Sequence, residues 1–162
     1  MPETIGYQAW VVNAKTGAHS YYENFNCHGI VKFNGKWIGL FADGVYELSG
    51  ADDDGTPIES KIQWAASEMG TPKQKSVDSV FVNMRNFDEA AIKLTVKVDE
   101  TEERTYAKDM TGHPEGIRRH RILIPKGLSG QTWQFGFENQ DGGDFVLGEL
   151  EVLSNELKRH LR

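Results

Sequence analysis

The chain has 162 residues, 38% of them hydrophobic and 26% charged, with a formal net charge of −6. It is long enough for a real core, and its acidic balance argues against nucleic acid as main partner, because phosphate binding wants a concentrated basic surface. A lone cysteine, Cys27, excludes an intrachain disulfide and is expected to serve as a small hydrophobic residue. The opening MPETIGYQAW has neither a basic nor an apolar leader region, and no apolar run approaches the ~20 residues of a membrane helix, so no signal peptide and no membrane insertion are expected.

The dominant period is two. YQAWVVN (7–13) reads as a strand, AKTG as a turn and SYYENF (20–25) as a second strand. GIVKF, KWIGLFA and VYEL are separated by Asn34-Gly35 and Asp43-Gly44. Both are hairpin signals, since type I′ turns need positive φ at their two central residues. Residues 29–49 are therefore expected to form a three-stranded meander. PIESKIQWAAS alternates, with Ile58, Ile62 and Trp64 on one face. DSVFVNMRN places Val80, Val82 and Met84 on one face, and AIKLTVKVDE does the same for Ile92, Leu94, Val96 and Val98. RRHRILIP, QTWQFGFEN and DFVLGELEVL follow, with Trp133, Phe135 and Phe137 inward and Glu149 and Glu151 outward. The pattern predicts an all-β chain: a meander over 1–50, a β-sandwich over 51–153 and, over 154–162, a short helix with Ser154 as its N-cap or else a tail. The acidic stretch SGADDDGTP reads as the linker.

The candidate sites follow from the loops and the aromatic residues. Asp52, Asp53 and Asp54 precede Gly-Thr-Pro, and Asp141 and Asp144 flank a Gly-Gly pair, where Asp-Gly-Gly suits a hairpin that needs positive φ. Oxygen-rich loops of this kind hold calcium, but the alternate carboxylates and closing Glu of an EF-hand are missing. A solvated turn is the better reading, and calcium is the only cofactor worth testing. The five histidines lack ligand spacing, and no nucleophile elbow, P-loop or dinucleotide glycine motif occurs, so no catalytic residue is assigned and the chain is read as a non-enzyme. Arg118, Arg119 and Arg121 form the densest basic patch, suited to an acidic neighbouring subunit or a phosphate, with a strand entry whose alternate side chains lie in solvent as the simpler reading. Trp64 and Trp133 belong on core faces. Trp10 and Trp37 are open between core, ligand platform and interface anchor, and stand with the arginines as interface candidates.

The blocks AWVVNAKTGAHSYYENF, FNGKWIGLFADGVYELSGADDDGTPIESKI, KSVDSVFVNMR and KGLSGQTWQFGFENQDGGDFVLGELEVL resemble a group of tailed-bacteriophage virion proteins associated with the tail or baseplate. The resemblance spans residues 8–153. It is most specific in the N-x-x-TG turn, in DGVYEL-x-G-x-D-x-x-GTPI and in GLSGQTWQFGFEN-x-DG-x-DF. It implies a propeller-blade-like first block, then a jelly-roll or galactose-binding-like sandwich. It further implies a structural protein of the virion tail, made in the bacterial host cytoplasm and assembling with other virion proteins and with itself. The alternative is a carbohydrate-binding sandwich that contacts a host surface glycan. A lone blade exposes sheet edges, which independently favours oligomerisation.

Overall fold

A computed structural model describes residues 7–23, 25–50, 52–53, 55–86, 91–108 and 116–157. Among these residues the fold is all-β, every strand pairing is antiparallel and there is no helix. The chain divides into two compact units, Met1–Gly50 and Ala51–Arg162.

The first unit holds two separate ladders. Strands β1 (Gln8–Val12) and β2 (His19–Glu23) pair as a hairpin. Its turn is closed by Asn13, whose Oδ1 accepts the Lys15 and Thr16 amides at 2.9 and 3.2 Å, an Asx turn of the kind these side chains favour. Strands β3 (Gly29–Phe33), β4 (Lys36–Leu40) and β5 (Val45–Glu47) form a sheet in that order. Asn34 and Gly35 have φ 48° and 82°, as a type I′ hairpin requires. The second turn differs from the expectation. Neither Asp43 nor Gly44 has positive φ, and the Phe41 amide donates to the Gly44 carbonyl at 2.8 Å across a four-residue loop.

The second unit opens on a minimal hairpin, β6 (Asp52–Asp53) with β7 (Thr56–Pro57), where an open linker was expected. Asp52 Oδ1 accepts the Gly55 amide at 3.0 Å and closes it. Seven strands follow: β8 (Lys61–Gln63), β9 (Lys75–Asn86), β10 (Ile92–Val98), β11 (Glu102–Lys108), β12 (Arg118–Leu123), β13 (Trp133–Asn139) and β14 (Phe145–Glu156). They form a four-stranded sheet, β11-β10-β13-β8, and a three-stranded sheet, β12-β9-β14. The inward rows of both contribute to one core: Val80, Val82 and Met84 from β9, Ile92 to Val98 at alternate positions of β10, and Trp133, Phe135 and Phe137 from β13. Burying each such side chain contributes about 1.5–3 kcal/mol, so this cluster dominates the unit.

Three expectations are corrected. β14 continues through Glu156, and the Leu157 amide donates to the Gln74 carbonyl, so Ser154 caps no helix; residues 158–162 lie outside the described residues. Asp141 and Gly142 do adopt the predicted positive φ (56° and 76°), but their turn joins β13 to β14 in different sheets and is no hairpin. Ile58 and Ile62 are exposed, because β8 is a three-residue edge strand and only Trp64 reaches the core.

Candidate functional site: apolar faces and a basic strand

Alternation along a strand sends successive side chains to opposite faces, so a sheet with one core contact should be apolar on one face only. The β3-β4-β5 sheet breaks this rule. Register places Ile30, Lys32, Trp37, Gly39 and Tyr46 on one face, and Val31, Phe33, Lys36, Ile38, Leu40, Val45 and Glu47 on the other. Exposed apolar side chains occupy both: Trp37 at 53% on the first, Phe33 at 71% and Val45 at 67% on the second. In the β1-β2 hairpin Trp10 lies opposite Tyr21, ring centroids 5.7 Å apart, and is 71% exposed.

What order the first unit has comes from a small aromatic chain. Tyr22, Phe25, Phe41 and Tyr46 contact in succession at 5.5–5.6 Å between ring centroids, the last two pairs edge to face. Of these, Phe41 stands beside Gly39, the one buried residue among those described in this unit. A Cβ at Gly39 would stand 2.7 Å from Phe41, 3.0 Å from Leu48 and 3.3 Å from the Cys27 sulfur, so only glycine admits this packing. Cys27 is half-buried there and donates to the Gly29 carbonyl. Charges on the faces are few. Lys32 Nζ sits 5.5 Å from the Trp37 ring, and Lys36 pairs with Glu47 at 2.6 Å, which, with Ser49, holds the Glu47 carboxyl below its usual range.

On the second unit, Arg118, Arg119 and Arg121 are exposed on β12 while His120 and Ile122 between and after them are buried. Arg119 and Arg121 flank Phe81 with guanidinium carbons 4.6 and 5.6 Å from its ring centroid, and Arg119 pairs with Glu151 on the far strand. The basic patch is thus partly neutralised within its own sheet, and its arginines present flat faces over an aromatic ring. The two tryptophan interface candidates and the three arginines lie on different units.

The acidic loops do not converge. Asp52 and Asp53 are exposed in the β6-β7 hairpin, Asp141 and Asp144 are exposed in the β13-β14 turn, and Asp54 lies outside the described residues. Among the described residues, no three His, Cys, Asp or Glu side chains come together in a metal-binding group, and no helix is long and apolar enough to cross a membrane.

One charged group escaped the sequence reading. Lys75 is 1% exposed, and its ammonium donates to the carbonyls of Glu68, Thr71 and Gln131, each at 2.8 Å. The signal was present in KSVDSV, where Lys75 falls in register with the inward Val77. No family model, no curated protein and no solved structure matches this chain.

Proposed function

We propose that this chain is a non-enzymatic structural protein of a bacteriophage tail or baseplate, resident in the virion tail after synthesis in the host cytoplasm. In this reading residues 7–50 are a blade-like meander that other virion subunits and further copies cover, and the second unit is a jelly-roll or galactose-binding-like sandwich. The observation that carries the reading is the two-sided apolar surface of the β3-β4-β5 sheet, with Trp37 on one face and Phe33 and Val45 on the other. Large exposed apolar side chains clustered on a sheet in this way favour an interaction site. Residues 1–50 carry Lys15, Lys32 and Lys36 against Glu3, Glu23, Asp43 and Glu47, so little net charge opposes the approach of a neighbour. The family resemblance supplies the virion context.

The test is direct. The full chain should self-associate at micromolar concentration by light scattering, and Phe33→Glu with Val45→Glu should return it to monomer while the core of the second unit melts unchanged. Mass spectrometry of purified virions should recover the protein in stoichiometric amount. A monomeric wild-type chain that is absent from virions would sink the reading.

A further inference from the structure

The core of the second unit takes the inward row of β9 and leaves the opposite face of the β12-β9-β14 sheet outward. Register sets this outer face in rows across the three strands. Leu123 and Leu153 flank Ser79, and Arg121 and Glu151 flank Phe81. In the next row Arg119 lies beside Asn83. Glu149 completes that row: it sits in the β14 bulge between the partners of Met84 and Val82, and it shares a shallow cleft with Phe81, Asn83, Arg119 and Glu151. An outer face that meets only water reads as polar. This one ends in an apolar row, with Leu123 at 63% and Leu153 at 46% exposure.

The charges of the face are sorted by strand, both arginines on β12 and both glutamates on β14. Arg119 pairs with Glu151 inside the face. Arg121 and Glu149 have no ion-pair partner among the described residues. A face sorted in this way is its own complement, as a two-fold contact requires. Turning a second copy about an axis parallel to β9 lays β12 over the β14 of that copy and keeps every row level. Arg121 then meets Glu151 of the second copy, Glu149 meets Arg119, Leu123 meets Leu153 and Phe81 meets itself. An axis across the strands would instead lay β12 on β12 and oppose arginine to arginine. Like charges in apposition are costly, so charge selects the parallel axis. Arg85, opposite Val146 in the row beyond Asn83, would meet its own copy on that axis, so the contact ends at Asn83.

Size sets the strength. Three strands about 4.8 Å apart and five residues of about 3.3 Å each give a flat patch of about 250 Å², well under the ~800 Å² per partner of a standard interface. Such a contact is weak in dilute solution and forms when another contact holds two copies at a millimolar effective concentration. We propose that the outer face of the β12-β9-β14 sheet binds the same face of a second copy about a two-fold axis parallel to β9, adding to the contacts of the first unit. The two-fold contact stands on the second unit alone; its use within an assembly rests on the reading above.

The test uses the full chain carrying Phe33→Glu and Val45→Glu, so that the first unit contributes no association whether or not it mediates assembly. Sedimentation equilibrium from about 10 μM to about 1 mM should show a dimer with a dissociation constant of about 0.1–1 mM. Raising sodium chloride from about 50 to about 500 mM should weaken it several-fold. In this background Arg119→Glu with Arg121→Glu should leave a monomer at 1 mM, because every charged row then opposes glutamate to glutamate. Glu149→Arg with Glu151→Arg should do the same with arginine. An equimolar mixture of these two chains should associate at least as tightly as the background, since each row regains opposite charges. Leu123→Asp, at the apolar end, should also leave a monomer, with unchanged circular dichroism in every variant. The proposal is overturned if the background chain stays monomeric through 1 mM, if either charge-reversed chain still dimerises, or if their mixture does not.

Discussion

Lys75 uses all three of its N–H donors on backbone carbonyls from residues 68, 71 and 131. It thereby ties the loop before β9 to the segment before β13. Replacing it with methionine keeps the stem and leaves three carbonyls facing an apolar group. Hydrogen bonds to charged groups are worth about 1.5–3 kcal/mol, so Lys75→Met should lower stability by about 3 kcal/mol in urea unfolding. Lys75→Arg should not restore it, because a planar fork does not fit three converging acceptors. Ser79 is the opposite case. Its Oγ is buried and has no hydrogen-bond partner among the described residues, so Ser79→Ala should be neutral or stabilising by about 0.5–1 kcal/mol. Asp99 adds a pH dependence. Its Oδ1 accepts the Thr132 amide at 2.8 Å and the Gln131 amide at 2.9 Å, which depresses its pKa below the ordinary 3.8, the Thr132 bond contributing most. A depressed folded-state pKa gives stability that is present above the unfolded value and is lost as pH falls through the folded one. Wild-type stability should therefore drop below about pH 4 more steeply than that of Asp99→Asn, as read by thermal melts across that range.

Turns explain how far the chain could be read before the fold was known. Asn34-Gly35 gave both the strand ends and the turn type, because the left-handed region strongly selects those two residues. Asp43-Gly44 gave the strand ends only. The same dipeptide is tolerated in a four-residue loop, where the Gly44 hydrogen faces the Tyr46 ring, 3.2 Å from where a Cβ would be. The β10-β11 hairpin uses Asp99 and Glu100 at φ 46° and 61°, without glycine. The strain at Asp99 is offset by its side-chain bonds to residues 131 and 132, a long-range cause that no local pattern displays. The inward rows of β9, β10 and β13 were readable because an alternating run with one buried face has one register. The sheet to which each strand belongs was not, so the Asp141-Gly142 turn passed for a hairpin. Gly130 shows the same limit. A Cβ there would lie 2.3 Å from Val98 and 2.5 Å from Asp99, so Gly130→Ala should cost about 1–3 kcal/mol, measurable by thermal unfolding. The tryptophans followed suit: Trp133 was placed correctly in the core by alternation, whereas the exposure of Trp10 and Trp37 follows from the first unit having apolar residues on both faces.

All fourteen buried hydrophobic side chains among the described residues fall between Val77 and Phe137, inside the second unit. A fragment of residues 51–162 should consequently fold and melt cooperatively on its own, and a fragment of residues 1–50 should not, since a 50-residue pair of ladders without a core cannot offset its conformational entropy. Circular dichroism melts of the two fragments check this. Substitutions at Phe33, Val45 or Trp37 should be nearly silent in the second unit's melting, since none of them belongs to its core. Lys75 supplies a clock for separating these events. An amine whose donors are all engaged and whose surface is sealed takes up an acylating label only when the second unit itself opens. The labelling rate of that one lysine, followed by peptide mass, reports opening of the second unit alone. Unchanged labelling while the first unit unfolds would show the chain coming apart in two stages.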